Sequence, residues 1–305
     1  MNAKRLTGLI AATYTPFDAV GQLRLEQTPQ MVEHLIAAGV SGLYVCGSTG
    51  EGMSLTSAER RLVAESYVQA ADGRLPVIIQ VGHNSVVEAK QLAAHAQAIG
   101  ADAVSATCPS YFKVQSAQLL VDCMREIAGG APNLPFYYYH IPVLTGSSID
   151  IAQFMQLGGQ QIPNLVGLKY TDTKLHEFQQ CLKLQNERFD VVWGCDEMLL
   201  GALASGSTGA IGSTYNIAAP LYHQIIAAFE AGDWNEARAL QNQAIEMINA
   251  IGTFPFHSAM KAILGMLGYD FGDCRLPQRA LTPDEKIRLR ELLCQVGFFE
   301  GFVTR

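Results

Sequence analysis

The sequence predicts a (β/α)8 barrel followed by a helical extension, and two observations lead to this fold class. First, short runs of apolar residues recur along the chain, and each is apolar on both faces, as a parallel sheet buried on both sides requires. Second, helix-like segments separate these runs, so that strand and helix alternate eight times. The runs lie at residues 9–13, 42–46, 77–81, 103–107, 136–139, 166–169, 191–193 and 210–212.

Residues typical of helix ends flank the segments between the runs. Thr56 and Ser85 are each followed three residues later by glutamate, the pattern of a capping box ahead of an amphipathic helix. The seventh and eighth runs are close together, so the helix between them must be short. A dinucleotide-binding sheet is the weaker alternative, since no G-x-G-x-x-G follows the first run. Glycines come after helical stretches, where a left-handed residue is expected, at Gly39, Gly100 and Gly206.

After the eighth run the pattern becomes helical. A capping box at Thr282, with proline at the first helical position, opens the last helix. No segment rich in Pro, Gly or Ser separates this part from the barrel. We therefore expect a catalytic barrel at residues 1–230 and a helical extension at 231–305 that packs on it. The helical patterns cover residues 222–231, 234–251, 258–267 and 283–294.

Composition narrows the classes of partner. Hydrophobic residues make up 49% of the chain and the formal net charge is -7, which disfavours nucleic acid and membranes as partners. Seven cysteines without a C-x-x-C pair are expected for the reduced thiols of a cytoplasmic protein. No apolar stretch is long enough to span a membrane. The apolar run after Arg5 contains Thr7 and Gly8, so we interpret it as the first strand rather than a signal peptide.

Lys169 is the first candidate for chemistry, because it ends the sixth run and small polar residues follow it. In a barrel, function collects at the carboxyl ends of the strands. A lysine with a packed stem and a partly dry ammonium has a lowered pKa, and its neutral amine can attack a carbonyl to form a Schiff base. The alternative is a lysine that extends from a strand end into water, which on this stretch alone is the commoner case.

Two further strand ends carry groups that suit a keto acid. The glycine-flanked turn after the second run offers the hydroxyls of Ser48 and Thr49 beside free backbone amides, which suits a carboxylate, although an ordinary polar turn has the same composition. In the fifth run, alternation puts Tyr137 and Tyr139 on one side and Tyr138 on the other. A phenol inside the barrel could move a proton, and an aromatic core is the alternative.

The remaining strand ends supply carboxylates and hydroxyls. Asp196 and Glu197 follow the seventh run, where they could bind sugar hydroxyls or cap the next helix. The eighth run leads into a hydroxyl-rich turn that begins at Ser213. His140 has no second histidine at ligand spacing, so we predict no metal site. The amine, phenols, anion-binding turn and hydroxyl binders together fit a polyhydroxylated keto acid better than a phosphate or a nucleotide.

Four segments occur in an order and spacing typical of one protein family. They are Gly-Ser-Thr-Gly-Glu at 47–51, Tyr-His-Ile-Pro at 139–142, Gly-Leu-Lys at 167–169 and Gly-Ser-Thr-Tyr-Asn at 212–216. From about Leu6 to the C-terminal helices, the chain resembles the pyruvate-dependent class I aldolases, the N-acetylneuraminate lyase and dihydrodipicolinate synthase family. The lyase branch is the more similar one, because the synthases usually carry arginine where this chain has Leu144 and Thr-Thr where it has Ser48 and Thr49.

The resemblance implies a role for each candidate residue. Lys169 would form the Schiff base, and Tyr139 would take part in moving the proton of the substrate's C4 hydroxyl. Ser48 and Thr49 would hold the carboxylate, and Tyr111, otherwise an ordinary surface tyrosine, would reach the site of a neighbouring subunit in a homotetramer. The sugar chain would be bound by the backbone of Gly194 and by Thr171, Asp196, Glu197 and Ser213.

By the same resemblance, the reaction is the reversible cleavage of N-acetylneuraminate, a sialic acid, to N-acetylmannosamine and pyruvate. No metal or organic cofactor is implied, because the imine is the electron sink. Departures from common family residues at Cys46, His140 and Cys195 leave the substrate preference open. The alternatives are another aldolase or synthase of the family and a non-catalytic barrel that binds a sugar acid. The presence of both Lys169 and Tyr139 disfavours the non-catalytic barrel.

Overall fold

Eight parallel strands form a closed barrel in the computed structural model, which describes residues 5–302. The strands are β1 (Gly8–Ala12), β2 (Gly42–Val45), β3 (Val77–Gln80), β4 (Ala103–Ala106), β5 (Phe136–His140), β6 (Leu165–Tyr170), β7 (Asp190–Trp193) and β8 (Gly209–Gly212). They follow one another in sequence order around the barrel, and β1 closes it by pairing with β8. This confirms the predicted (β/α)8 fold, and every predicted strand is present, with ends that differ by one residue at most.

Helices connect the strands and continue after the last one. Between β7 and β8 there are only a 3-10 turn (Asp196–Met198) and a helix of six residues, as the short spacing requires. No helix within residues 5–302 is both long and apolar enough to cross a membrane. The helices are α1 (Thr28–Ala37), α2 (Ser57–Ala71), α3 (Val86–Ala98), α4 (Ala117–Ala128), α5 (Pro142–Thr145), α6 (Ile151–Gln161), α7 (Leu175–Lys183), α8 (Leu199–Ala204), α9 (Tyr215–Glu230), α10 (Trp234–Gly252), α11 (Phe256–Met266), α12 (Pro283–Gln295) and α13 (Phe298–Gly301).

Buried side chains line both faces of the barrel wall. Tyr137 and Tyr139 belong to the inner cluster, together with Tyr44 of β2. Tyr138 points to the outer face and packs on Phe154 of α6, with ring centroids 4.6 Å apart. The alternation predicted for the fifth strand is therefore confirmed. Tyr44 and Tyr139 face Lys169 from this inner side, whereas the hydroxyl of Tyr137 donates to Asp190 at the start of β7 (2.8 Å), at the other end of the barrel.

Local signals at the helix ends are confirmed in most cases. Thr56 forms a reciprocal capping box with Glu59 at the start of α2. At the start of α3, Ser85 Oγ accepts a hydrogen bond from the Glu88 amide (3.3 Å), which is half of the predicted box. The glycines predicted to follow helices have positive φ values, in the region that glycine adopts without strain: +77° at Gly39, +81° at Gly100 and +103° at Gly206.

Helix α9 begins earlier than predicted. It starts at Tyr215, whereas the sequence pattern predicted a start at residue 222. Pro220 disfavours helical backbone at the residue before it, so the sequence pattern did not indicate the first turns of α9. The chain adapts through a kink at Ala218 (φ −141°, ψ 26°) and is helical on both sides of it. The early start puts Thr214 at the amino end of α9, beside the candidate site.

The helices after α9 pack against the barrel's loops and share its core. Gln241 of α10 contacts the segment after β7, since its Nε2 donates to the carbonyl of Glu197 (3.1 Å) and its Oε1 accepts from the amide of Leu200 (2.9 Å). Apolar residues of these helices, Met247 among them, belong to the same continuous cluster as the outer face of the barrel. We therefore propose that the barrel and the extension are distinct in topology but share a single hydrophobic core.

Candidate active site

Lys169 and Tyr139 lie side by side near the carboxyl ends of β6 and β5. The two residues are paired in register across these strands, and Lys169 Nζ is 4.1 Å from the centroid of the Tyr139 ring. The ring centroid of Tyr44, on β2, is at the same distance of 4.1 Å from Nζ. Lys169 is only 4% exposed, which does not fit a lysine that extends into water. The barrel therefore holds this amine between two aromatic rings, away from bulk solvent.

The amine of Lys169 is in an environment that favours its neutral form. Burial lowers the pKa of Lys169 to about 7, because a buried ammonium is poorly solvated, while the charges of Asp196 and Cys195 act in the opposite direction. Near neutral pH a large fraction of the amine is therefore unprotonated, unlike that of an ordinary lysine. A neutral amine has a free lone pair and can attack a carbonyl carbon.

The hydroxyl of Tyr139 is held in its protonated form. Burial raises the pKa of Tyr139 to about 12, although a hydrogen bond with Ser48 acts against the shift. The hydroxyl oxygen is 3.5 Å from Ser48 Oγ, and either group can be the donor. The phenol thus connects the amine on β6 with the turn after β2. At this position it can accept a proton only while it gives up its own, as a proton relay does.

The turn after β2 has a backbone shape that few sequences allow. Cys46 and Glu51 have φ values of 59° and 56°, which are unusual for residues other than glycine. A Cβ atom at Gly52 would be 2.0 Å from the carbonyl oxygen of Cys46, so only glycine fits there. Thr49 Oγ1 is 2.6 Å from Ser213 Oγ. The hydroxyl-bearing turns after β2 and β8 are thereby brought together at one end of the barrel.

Asp196 is buried next to the end of β8. Its Oδ2 accepts hydrogen bonds from the amide (2.9 Å) and the hydroxyl (2.6 Å) of Thr214, and burial raises the pKa of Asp196. A Cβ atom at Gly212 would be 1.8 Å from Oδ1, so glycine is required opposite the carboxylate. Within residues 5–302, Oδ1 makes no hydrogen bond of normal geometry, although the buried hydroxyl of Tyr215 interacts with this carboxylate. A buried acceptor without a donor is unfavourable, and a hydroxyl of a bound molecule would satisfy it.

Thr171 and Gly194 make a second close contact, between the ends of β6 and β7. A Cβ atom at Gly194 would be 2.0 Å from Thr171 Oγ1, and this buried hydroxyl, which interacts with that of Tyr139, makes no hydrogen bond of normal geometry in the described part of the chain. Glu197 differs from its neighbour Asp196, because its side chain is exposed on the 3-10 turn. Of the two predicted carboxylates, Asp196 is therefore the one inside the buried cluster.

Tyr111 is at the surface, apart from this cluster. It is 78% exposed and its neighbour Phe112 is 83% exposed, with their rings edge to face and their centroids 5.1 Å apart. Lys113 connects this loop with α5, the short helix after β5, since its Nζ donates to the carbonyl of Thr145 (2.9 Å). Neighbouring aromatic rings in water mark a surface that another molecule commonly covers.

His140 lies on the outer side of β5 and approaches two carboxylates. His140, Asp172 and Glu177 each place one potential metal-ligand atom within 4.8 Å of the others. The sequence allowed an Asp or Glu from elsewhere in the chain to approach His140, but it did not show which carboxylates would do so. Asp172 already pairs with Lys174 (3.1 Å), and Glu177 accepts a hydrogen bond from the hydroxyl of Tyr170 (2.8 Å). Because both carboxylates have partners of their own, we still predict no metal there.

Two residues of the cluster were not among those predicted from the sequence. Tyr44 faces the amine of Lys169, and Thr214 provides both hydrogen bonds to Asp196 Oδ2. Thr214 lies within a segment that resembles the family, so its position was a signal that could have been used. For Tyr44, the sequence showed only that it lies on a strand, and not which side of that strand faces the barrel interior. No local pattern indicated that it would contact Lys169.

Comparison with known proteins identifies the family. Residues 5–296 match the model of the dihydrodipicolinate synthetase family. The chain belongs to this family. It is 43% identical to an N-acetylneuraminate lyase of Xenopus tropicalis over 281 residues, which are 90% of this chain and 91% of that protein. An N-acetylneuraminate lyase of Mus musculus is 41% identical over 303 residues, which are 98% of this chain and 95% of that protein.

Solved structures of the family are similar over nearly the whole chain. The N-acetylneuraminate lyase of Proteus mirabilis has a TM-score of 0.94 at 38% identity, over 97% of this chain and 100% of that chain. The N-acetylneuraminate lyase (sialic acid aldolase) of Aliivibrio salmonicida has a TM-score of 0.94 at 39% identity, over 97% of this chain and 98% of that chain. The family resemblance predicted from four short segments is confirmed.

Proposed function

We propose that this protein is a class I aldolase, a carbon–carbon lyase that cleaves N-acetylneuraminate reversibly to N-acetylmannosamine and pyruvate. The observation that carries the proposal is the buried amine of Lys169, with a pKa of about 7, beside the protonated phenol of Tyr139. The names of relatives that are 43% and 41% identical support the choice of substrate.

Lys169 supplies the electron sink for the reaction. Its neutral Nζ attacks the C2 ketone of the substrate, and loss of water leaves a protonated imine, the Schiff base. When the C3–C4 bond breaks, its electron pair moves into the imine and gives an enamine, and the C4 hydroxyl loses its proton to become the aldehyde of N-acetylmannosamine. The enamine takes up a proton at C3, and water then hydrolyses the imine to pyruvate and the free amine. This sequence needs no metal or organic cofactor.

Tyr139 moves the proton of the C4 hydroxyl. With a pKa of about 12, the phenol is protonated at neutral pH and cannot take up a second proton while it keeps its own. It therefore accepts the proton from the C4 hydroxyl while it passes its own to the carboxylate of the substrate. The 3.5 Å approach to Ser48 Oγ supports this direction, because Ser48 belongs to the turn that would hold the carboxylate.

The binding roles divide between the two sides of the barrel's end. Ser48 and Thr49, with the amides of their turn, bind the carboxylate. Asp196 and Thr171 bind sugar hydroxyls, and this role is supported by their buried oxygens, which make no hydrogen bond of normal geometry within residues 5–302. The rest of the sugar site is formed by the backbone of Gly194, by Glu197 and by Ser213.

Assembly and location complete the proposal. Tyr111 extends into the site of a neighbouring subunit of a homotetramer, and its 78% exposure supports a role outside its own barrel. All seven cysteines are free thiols, which supports a reducing compartment such as the cytoplasm. The ligands are small molecules, a sialic acid and pyruvate, and the net charge of -7 supports the absence of nucleic-acid and membrane partners.

Pyruvate release from a panel of sugar acids tests the proposed substrate. The panel contains N-acetylneuraminate and simpler 2-keto-3-deoxy sugar acids, and we expect the highest kcat/KM with N-acetylneuraminate. A higher value with a simpler acid would favour another aldolase of the family. Release from none of the panel, together with tight binding, would favour the non-catalytic barrel.

A further inference from the structure

A buried ion pair connects the turn after β2 with α11 of the helical extension. Lys261 Nζ, on α11, is 2.7 Å from Oε1 of Glu51, and the two side chains are 1% and 0% exposed. Glu51 Oε2 accepts a hydrogen bond from the backbone N–H of Arg275 (2.8 Å), which is also in the extension. Both carboxylate oxygens of this barrel residue are therefore contacted by groups that come after the barrel in sequence.

We propose that Lys261 is a positioning residue for the carboxylate site: by holding Glu51, it fixes the turn that carries Ser48 and Thr49. This inference rests on the proposed function, since it assigns a support to the same carboxylate site. It also makes the helical extension part of the active-site architecture.

The backbone of Glu51 explains why the turn needs support from outside. Its φ of 56° is unfavourable for a residue with a Cβ atom, so the conformation persists only where the surroundings hold it. The amide of Glu51 donates to the carbonyl of Ser48 (3.1 Å), and its carbonyl accepts from the amide of Ser54 (2.7 Å). A rotation at Glu51 would therefore move Ser48 directly.

Several contacts make Lys261 a fixed point rather than a flexible side chain. Its Nζ is 4.2 Å from the centroid of the Phe17 ring and donates to the carbonyl of Asp273 (3.2 Å). The guanidinium of Arg275 is 4.5 Å from the centroid of the same Phe17 ring. Arg275 also binds Glu59 of α2 through two nitrogens, at 2.9 and 2.6 Å. The extension is thus attached on both sides of the turn.

Loss of the ion pair should weaken the binding of pyruvate and leave the formation of the imine at saturation unchanged. Lys169 and Tyr139 are carried by β6 and β5, whereas the ion pair acts on the turn after β2. If this turn relaxes, the carboxylate of pyruvate loses hydroxyl and amide donors, and saturation requires more pyruvate. The amount of imine formed at saturation should not change, because the amine and its environment remain.

Borohydride trapping at Lys169, titrated with pyruvate, measures this effect in the full-length protein. The variants are Lys261→Met and the double variant Glu51→Gln/Lys261→Met, in which no buried charge is left unpaired. We expect the half-saturating pyruvate concentration to rise about tenfold in both, the effect of roughly one lost hydrogen bond to the carboxylate. The maximal trapped fraction should equal that of the wild type, with folding verified by circular dichroism.

Lys286→Met is the matched control, because Lys286 is in the same extension and pairs with Asp273 at the surface (3.6 Å). It should saturate with pyruvate as the wild type does. A folded double variant that saturates at the wild-type pyruvate concentration would overturn the proposal, and so would an equal shift in Lys286→Met. A wild-type protein that traps no pyruvate would instead contradict the proposed function, so the two failures are distinguishable.

Discussion

Lys169 and Tyr139 occupy paired positions on neighbouring strands, and the amine nitrogen of Lys169 is 4.1 Å from the ring centroid of Tyr139. Both side chains point into the barrel, where burial acts on them in opposite senses. It lowers the pKa of the lysine to about 7 and raises that of the tyrosine to about 12. The same dry environment therefore produces a neutral nucleophile next to a neutral proton donor.

Substitution of Tyr139 by phenylalanine removes the hydroxyl and keeps the aromatic ring, so it distinguishes the roles of the two groups. The ring would still pack against Lys169, so the amine should keep its environment, whereas the proton relay would be lost. We expect kcat for N-acetylneuraminate cleavage to fall roughly 10²–10⁴-fold, with a smaller change in KM. Tyr44→Phe is the control, because the Tyr44 hydroxyl donates to Ser105 (3.0 Å) and not to Ser48, and its loss should be far smaller. A change confined to KM would give Tyr139 a binding role.

The lowered pKa of Lys169 predicts the pH dependence of the reaction. The neutral amine is the reactive form, and its population grows as the pH rises. Below about pH 7, kcat/KM should therefore increase about tenfold per pH unit, and above this pH it should level off. Steady-state kinetics between pH 5 and 9, roughly two units on either side of the transition, checks this. A rise that continues towards the ordinary lysine value of 10.5 would show that the amine is not desolvated in solution.

His140 should make the fold sensitive to acid. Burial lowers the pKa of His140 from 6.5 to about 4, so between these values the unfolded chain binds a proton that the folded protein does not. The free energy of unfolding therefore has its full value with respect to this group above pH 6.5. It decreases by about 3 kcal/mol as the pH is lowered from 6.5 to about 4. In urea unfolding, the free energy of unfolding of the wild type should fall relative to that of His140→Asn as the pH is lowered over this range. A difference between the two proteins that is independent of pH would refute the assignment.

A methyl group at Gly212 tests the position of Asp196. Because a Cβ atom would be 1.8 Å from Asp196 Oδ1, Gly212→Ala must displace the carboxylate. We expect kcat/KM for N-acetylneuraminate to fall about 10²-fold, as for other displacements of about 1 Å in a site. Gly252→Ala is the matched control, since a Cβ atom there meets nothing within 4 Å. Equal activity of the two variants would indicate that Asp196 has no part in the reaction.

The features that could be predicted from the sequence are those encoded within a few residues. An apolar run that ends in a lysine predicted both β6 and the position of Lys169. Strict alternation predicted that Tyr137 and Tyr139 share one side of β5, but not that this side faces the interior of the barrel. The glycine-flanked turn with Ser48 and Thr49 was also visible, because the glycines that its backbone requires are inside the turn itself, although its support by Lys261 was not visible.

Contacts between distant segments could not be predicted in this way. Tyr44 meets Lys169 only once the barrel closes, and Lys261 reaches Glu51 only because the extension folds back on the barrel's end. The different burial of Asp196 and Glu197 depends on a 3-10 turn, which has no clear periodicity in the sequence. The substrate contacts of Glu197 and the intersubunit role of Tyr111 stay predictions, since they depend on partners outside this chain.

Reduction with borohydride in the presence of pyruvate tests the central claim, a Schiff base on Lys169. Reduction would convert the imine into a stable secondary amine, which mass analysis of peptides can locate. We expect the added mass on Lys169 of the wild type, and neither added mass nor turnover in Lys169→Ala. An unmodified Lys169, or substantial turnover by Lys169→Ala, would contradict the proposed chemistry.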